Sequence, residues 1–184
     1  KVDTGMHRLG FEDNTIEELI STLRGNSTVR VQSILSHLAT SDDPNHFEFV
    51  EEQISLFEKL SSRLMSELNI SPIRHILNTS GISNFPNAQY NMVRLGIGLY
   101  GVSNDPAEQK YLENVGTLKS IISQVRTIPT GDSVGYGRRF MAKKETKIAT
   151  IPIGYADGIS RLWGNEVGFV TIKSQKAYIV GSVC

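Results

Sequence analysis

What most constrains this chain is a change of pattern near Leu112: helix-like spacing alternates with short apolar runs before that point, and strand-like runs with turns follow it. Thr15 to Leu23 puts Ile16, Leu19, Ile20 and Leu23 on one face, with Thr15 and Glu18 as a capping pair and Gly25 as a stop. Val29 to Leu38 is a β-branched apolar run. Ser41-Asp-Asp-Pro44 then caps a long helix to about Leu68, whose core face is Phe47, Val50, Ile54, Phe57, Leu64 and Leu68. Ile73 to Leu77 and Met92 to Tyr100 read as two more strands, separated by a Gly/Ser/Asn/Pro loop over 79–88. Strand and helix in alternation imply parallel strands with right-handed crossovers, hence an α/β sheet or barrel over residues 1–112.

Residues 113–184 follow a different pattern. Ser120 to Ile128, Lys147 to Ile153, Gly168 to Lys173 and Lys176 to Val183 are strand-like and are joined by turns such as Pro129-Thr-Gly-Asp132, with no long helix between them. A second, all-β unit is expected there. Both ends read as cut: Lys1 to Gly10 is already dense in unusual residue types, and Ala177 to Cys184 is a strand with no closing turn. The chain is therefore expected to be an interior piece of a longer protein.

Composition narrows the partners. Nineteen basic residues balance nineteen acidic ones, so the cationic footprint of a nucleic-acid-binding protein is missing. No apolar run approaches the roughly 20 residues that span a bilayer, and one cysteine, Cys184, cannot form an internal disulfide. A cytoplasmic protein, without nucleic-acid or membrane partners, is expected.

Several polar residues fall where strands end, the edge at which parallel α/β folds bind ligands. Lys1, Asp3 and Arg8 lie on a loop entering the first helix, and Asp3 with Arg8 could equally be a loop ion pair. His37 closes the second strand, and a hydrogen-bonded structural histidine is the plainer alternative. Asn78 and Thr79 close the third, where turn capping is the plainer role. Arg94 interrupts an apolar stretch, and a buried guanidinium costs several kcal/mol unless acceptors hold it, so it needs a specific partner. Gly96 and Gly98 would let a ligand approach backbone amides able to cradle a phosphate, or would serve packing. Tyr136 stands between two glycines, poorly shielded, and Tyr155 sits on a tight bend. Zinc, Walker-loop and serine-hydrolase motifs are absent, and no metal is expected.

These segments together resemble the alanine racemase family of fold-type III pyridoxal-phosphate enzymes. The resemblance runs through residues 1–10 (KVDTGMHRLG), 37–42 (HLATSD), 91–101 (NMVRLGIGLYG), 134–137 (VGYG) and 151–158 (IPIGYADG). It implies that residues 1–112 are the later part of a (β/α)8 barrel that binds pyridoxal 5'-phosphate. Residues 113–184 would be the start of an all-β C-terminal domain. The implied activity is alanine racemisation by two bases, supplying D-alanine for peptidoglycan, in a homodimer whose active sites are shared across the interface.

By the same resemblance Tyr136 is one base, contributed by the neighbouring subunit, and His37 links it to Arg94. Arg94 matches the arginine that bonds the pyridine nitrogen and discourages its protonation. Thr79 stands at a phosphate-binding serine position, with Ser80 the alternative hydroxyl, and Gly96 and Ile97 would give amides to the phosphate. Arg8 matches an arginine near the substrate carboxylate, Lys1 stands at a position often carbamylated, and Tyr155 lines the substrate entrance. The family's cofactor lysine would lie upstream of Lys1 and its Met-Asp pair after Cys184, so residues 1–184 alone are expected to be inactive. Two other readings are a fold-type III amino-acid decarboxylase, which Arg94 argues against, and a non-catalytic scaffold segment of a larger cell-wall enzyme.

Overall fold

A computed structural model describes residues 1–184, which form two compact units, Lys1–Thr117 and Leu118–Cys184. In the first, helix α1 (Ile16–Arg24) precedes strand β1 (Ser33–Leu35), helix α2 (Phe47–Leu68) and strand β2 (Ile73–His75). β1 and β2 pair in parallel, with Ser33 opposite Ile73 and Leu35 opposite His75. Single backbone bonds widen this sheet on both sides. The Val2 amide donates to the Leu35 carbonyl at 2.9 Å, and the amides of Asn91 and Arg94 donate to the carbonyls of Arg74 and Leu77 at 3.1 and 3.0 Å.

The core lies between this sheet and the helices. Ile16 and Ile20 of α1 meet Val50, Phe57, Leu60 and Leu64 of α2, all buried. Two polar residues, Gln53 and Ser61, share that buried face. The short α2 lead-in starts at Pro44, where the Asp43 carboxylate accepts from the Asn45 amide. At the other end Asn69 takes the left-handed conformation, φ +49°, and closes the helix.

Four local expectations change. Thr15 does not cap α1 through its side chain, because a 3₁₀ turn at Asp13–Thr15 already leads into the helix and its hydroxyl donates back to the Glu12 carbonyl at 2.9 Å. The long run at 29–38 contributes only three strand residues. The expected loop at 79–88 holds helix α3 (Thr79–Asn84), capped by Asn78, whose side-chain oxygen accepts from the Gly81 amide at 3.0 Å. Met92 to Tyr100 is not a strand: after Arg94 the chain turns at Gly96 into a 3₁₀ turn, Ile97–Tyr100. The Thr79 side chain bends it there by accepting from two amides of the segment. A short helix, α4 (Pro106–Gln109), closes the unit.

The second unit is antiparallel. β3 (Gln124–Ile128) pairs with β6 (Thr146–Thr150), β4 (Ser133–Val134) with β5 (Phe140–Met141), and β7 (Phe169–Ile172) with β8 (Gln175–Tyr178). Gly131, at φ +92°, supplies the turn between Pro129 and Asp132. Lys173 and Ser174 both adopt positive φ in the two-residue turn joining β7 to β8, the geometry that matches strand twist. Formal charge divides unevenly: the first unit carries nine basic and fifteen acidic residues, the second ten and four. No helix is long and apolar enough to cross a membrane.

Candidate active site

The carboxyl ends of β1 and β2 expose carbonyls with no further strand residue to pair them, and Arg94 binds there. Its Nη2 donates to the carbonyls of Ser36 at 2.6 Å and Ile76 at 3.0 Å, and its Nη1 to that of His75 at 3.2 Å. Nη2 also lies 3.1 Å from Nδ1 of His37, and Nη1 contacts Nδ1 of His75. Five contacts to carbonyls and imidazoles, none to a carboxylate, hold this half-buried cation. Charge-assisted bonds of about 1.5–3 kcal/mol each offset its desolvation. Nε is the one guanidinium nitrogen without a partner in the chain.

This arrangement fixes both imidazoles. A guanidinium only donates, so Nδ1 of His37 and of His75 must accept and each ring carries its proton on Nε2. Burial and then the positive charges of Arg94, Arg8 and Lys1 hold His37 below the usual histidine range. Burial and Arg94 do the same for His75. His37 is thus a neutral imidazole with an Nε2–H free to donate. His75, almost fully buried, was not among the expected site residues, because it falls inside the run Ile73–Leu77 and becomes the last residue of β2 only where the strand stops.

Next to this cluster, Thr79 organises a turn. Its Oγ1 accepts from the amides of Gly96 at 2.9 Å and Gly98 at 3.3 Å, which uses both lone pairs and directs the hydroxyl proton outward. The Ile97 amide between them has no acceptor in the chain. A Cβ on Gly98 would fall 2.7 Å from Cγ2 of Thr79, so glycine is needed for the approach. The turn can therefore offer an anion one amide and one hydroxyl. Ser80 makes no side-chain hydrogen bond, whereas Asn78 is committed to its cap and to the Ser41 hydroxyl at 2.6 Å.

The loop over 1–10 is pinned rather than paired as an Asp3–Arg8 bridge. Buried Asp3 accepts from the amides of Gly5 and His7 at 3.0 and 3.1 Å, and its carboxylate lies 3.6 Å from the His7 ring. Burial pushes its acidity down, but those amide bonds and the His7 and Lys1 charges win, and its pKa is lowered. Lys1 Nζ donates to the Leu9 carbonyl at 2.5 Å, and Arg8 is exposed. Lys1 and Arg8 thus stand within electrostatic range of His37.

The remaining two candidates belong to the second unit. Tyr136 is 79% exposed between Gly135 and Gly137, at φ +73° and +68°, which lift its ring off the chain. Tyr155 opens a 3₁₀ turn, its amide donating to the Cys184 carbonyl at 3.1 Å and its ring 5.5 Å from the Arg161 guanidinium carbon.

Parallel strand–helix units that gather a cation and an anion-ready turn at the strands' carboxyl ends, ahead of an antiparallel unit, define an α/β ligand-binding unit followed by a β-domain, and the likeness to known proteins makes these the later part of a (β/α)8 barrel and the start of a β C-terminal domain. Residues 1–104 match the family model "Alanine racemase, N-terminal domain" and residues 115–184 "Alanine racemase, C-terminal domain". The chain belongs to the alanine racemase family.

An alanine racemase of Sorangium cellulosum is 36% identical over 184 residues, covering 100% of this chain and 48% of that protein. Alanine racemase 2 of Caldanaerobacter subterraneus is 38% identical over 192 residues, again with 100% and 48% covered. Among solved structures, alanine racemase from D-cycloserine-producing Streptomyces lavendulae superposes with a TM-score of 0.90 at 31% identity, over 100% of this chain and 49% of that one. Bartonella henselae alanine racemase with covalently bound pyridoxal phosphate gives 0.78 at 31% identity, with the same coverage. The chain spans about half the length of the curated relatives it matches.

Proposed function

We propose that this chain is part of a pyridoxal 5'-phosphate-dependent alanine racemase, an isomerase that interconverts L- and D-alanine in the cytoplasm and supplies D-alanine for peptidoglycan. The observation that carries this reading is Arg94: a cation held by carbonyls and neutral imidazoles, with Nε unpartnered and no carboxylate beside it. Such a donor suits a ring nitrogen that stays unprotonated. A decarboxylase of the same fold would want an acid there.

The residues present fit the cofactor. Thr79 Oγ1–H and the unpaired Ile97 amide would hold its phosphate beside Gly96, and Thr79 is better prepared for this than Ser80 because the two glycine amides already orient its hydroxyl. Arg94 Nε would hold the ring nitrogen. When bound, pyridoxal phosphate supplies the electron sink that makes the α-proton of an amino acid removable.

The chain's own residues do the rest. Tyr136, reaching the site from a second copy, takes the proton from or returns it to one face of the α-carbon, and an upstream lysine serves the other. His37, neutral and with Nε2–H available, donates to the Tyr136 oxygen and so favours the phenolate; it accepts in turn from Arg94. A phenol of ordinary pKa near 10 needs such help at neutral pH. Arg8 draws the substrate carboxylate, with Lys1, if carbamylated, positioning it, and Tyr155 narrows the entrance. Residues 1–112 belong to the cofactor-binding barrel and 113–184 to the β-domain. The protein is a homodimer whose active sites are shared across the interface.

The test is racemisation of L- and D-alanine by the full-length protein with added pyridoxal phosphate. Conversion in both directions is expected, falling about 10²- to 10⁴-fold in Tyr136→Phe. Failure to convert either enantiomer overturns the reading.

A further inference from the structure

Gln53 lies on the core face of α2 among Val50, Phe57 and Leu60, and none of its surface is exposed. A buried carboxamide in an apolar face is costly unless every polar atom is matched. Here each is. Oε1 accepts from the Ala39 amide at 3.0 Å, and Nε2 donates to the His37 carbonyl at 3.2 Å. Nε2 is also 3.5 Å from Thr4 Oγ1, which shares a 2.7 Å hydrogen bond with Ser36 Oγ.

Leu38 is buried in the core, but no other hydrogen bond reaches the backbone of residues 37–39. β1 ends at Leu35, the Ser36 amide still donates to the His75 carbonyl, and from His37 to Ala39 the chain has left the sheet. One side chain closes on this segment from both sides of Leu38, as a neighbouring strand would. We infer that Gln53 is a positioning residue: its carboxamide fixes the backbone of residues 37–39 and thereby the direction in which the His37 imidazole leaves the chain, toward Arg94. The inference rests on the role proposed above for His37, and its test separates the two. Leu or Met would fill the same volume without the polar cost, so packing alone does not account for glutamine at this position.

The experiment follows the His37 imidazole by ¹⁵N NMR titration, and the pH profile of kcat, in the full-length holoenzyme. Gln53→Met keeps the volume and removes both bonds; Gln53→Asn keeps a carboxamide in the core but withdraws it by one methylene. Both are expected to raise the His37 titration toward its ordinary value near 6.5, as the ring moves out of its buried place beside Arg94, Arg8 and Lys1. Both should shift the limb of the pH profile that His37→Phe shifts, with no further shift in the double variant. Ser61→Ala, which removes another buried polar group from the same helix face, is expected to lower thermal stability and leave both readouts in place. An unchanged His37 titration in a folded Gln53 variant overturns the inference. If His37→Phe leaves the profile unmoved, the role proposed for His37 fails, and the NMR titration alone still decides the role of Gln53. Should Gln53→Met not fold, Gln53→Asn decides.

Discussion

Nη2 of Arg94 lies 3.1 Å from Nδ1 of His37, and this contact sets the tautomer of a ring at the end of one strand from a cation two crossovers later in the chain. The same guanidinium contacts Nδ1 of His75, so two imidazoles and three strand-end carbonyls share one positive charge.

Stability should therefore depend on pH in the histidine range. Both imidazoles titrate below their ordinary value in the folded protein, because burial and neighbouring cations oppose their protonation. The unfolded chain then binds more protons than the folded one just below pH 6.5, so their contribution to stability is full above about 6.5 and is lost as pH falls through the lower folded values. Urea denaturation at stepped pH should give falling midpoints below about 6.5, and His37→Phe should flatten that dependence.

At the turn, Gly98→Ala should force Thr79 aside, since the new methyl would sit 2.7 Å from Cγ2 of Thr79. A cost of about 1–3 kcal/mol is expected from overpacking, with weaker cofactor binding measured by equilibrium dialysis of pyridoxal phosphate. Thr79→Ser removes that methyl while keeping the hydroxyl, so the double variant should regain most of both losses. Gly116→Ala, with nothing within 4 Å of its Cβ, is the neutral control.

Phe57→Ala should cost about 3–5 kcal/mol in chemical denaturation. The ring is fully buried and meets Tyr90 edge to face at 5.2 Å. Tyr90 in turn is fastened over β2 by the Arg74 guanidinium, 4.5 Å from its ring centre, which is itself paired with Glu58 at 2.9 Å. Loss of Phe57 thus loosens the segment leading to Asn91 and Arg94.

Much of the fold was legible because period and punctuation report local structure directly. Ile16 and Ile20 marked the core face of α1, Pro44 marked the start of the turn leading into α2, and Gly131 marked the turn between Pro129 and Asp132. The segment 92–100 misled because its apolar residues suit a strand, while its path is set by two hydrogen bonds to Thr79, 17 and 19 residues earlier in the chain. The same holds for Thr15, whose neighbours at Asp13 and Asn14 had already begun a turn. Arg94 was visible as a cation that required acceptors. Which acceptors they were, the carbonyls of Ser36, His75 and Ile76, depends on where two strands end together, and no local pattern encodes that. Gln53 and His75 were hidden for a related reason: one lies on the buried face of a helix beside two exposed glutamates and the other at a strand end, and the partners of both come from other elements.

In the proposed function, Arg94 presents a donor to a heteroaromatic nitrogen that stays unprotonated. Loading the full-length protein with ¹⁵N-labelled pyridoxal phosphate and recording the ring-nitrogen resonance tests it most directly. The expected resonance is that of a neutral, hydrogen-bonded pyridine, moving toward pyridinium in Arg94→Glu. A pyridinium shift in the unaltered protein, indifferent to substitution at residue 94, would contradict it.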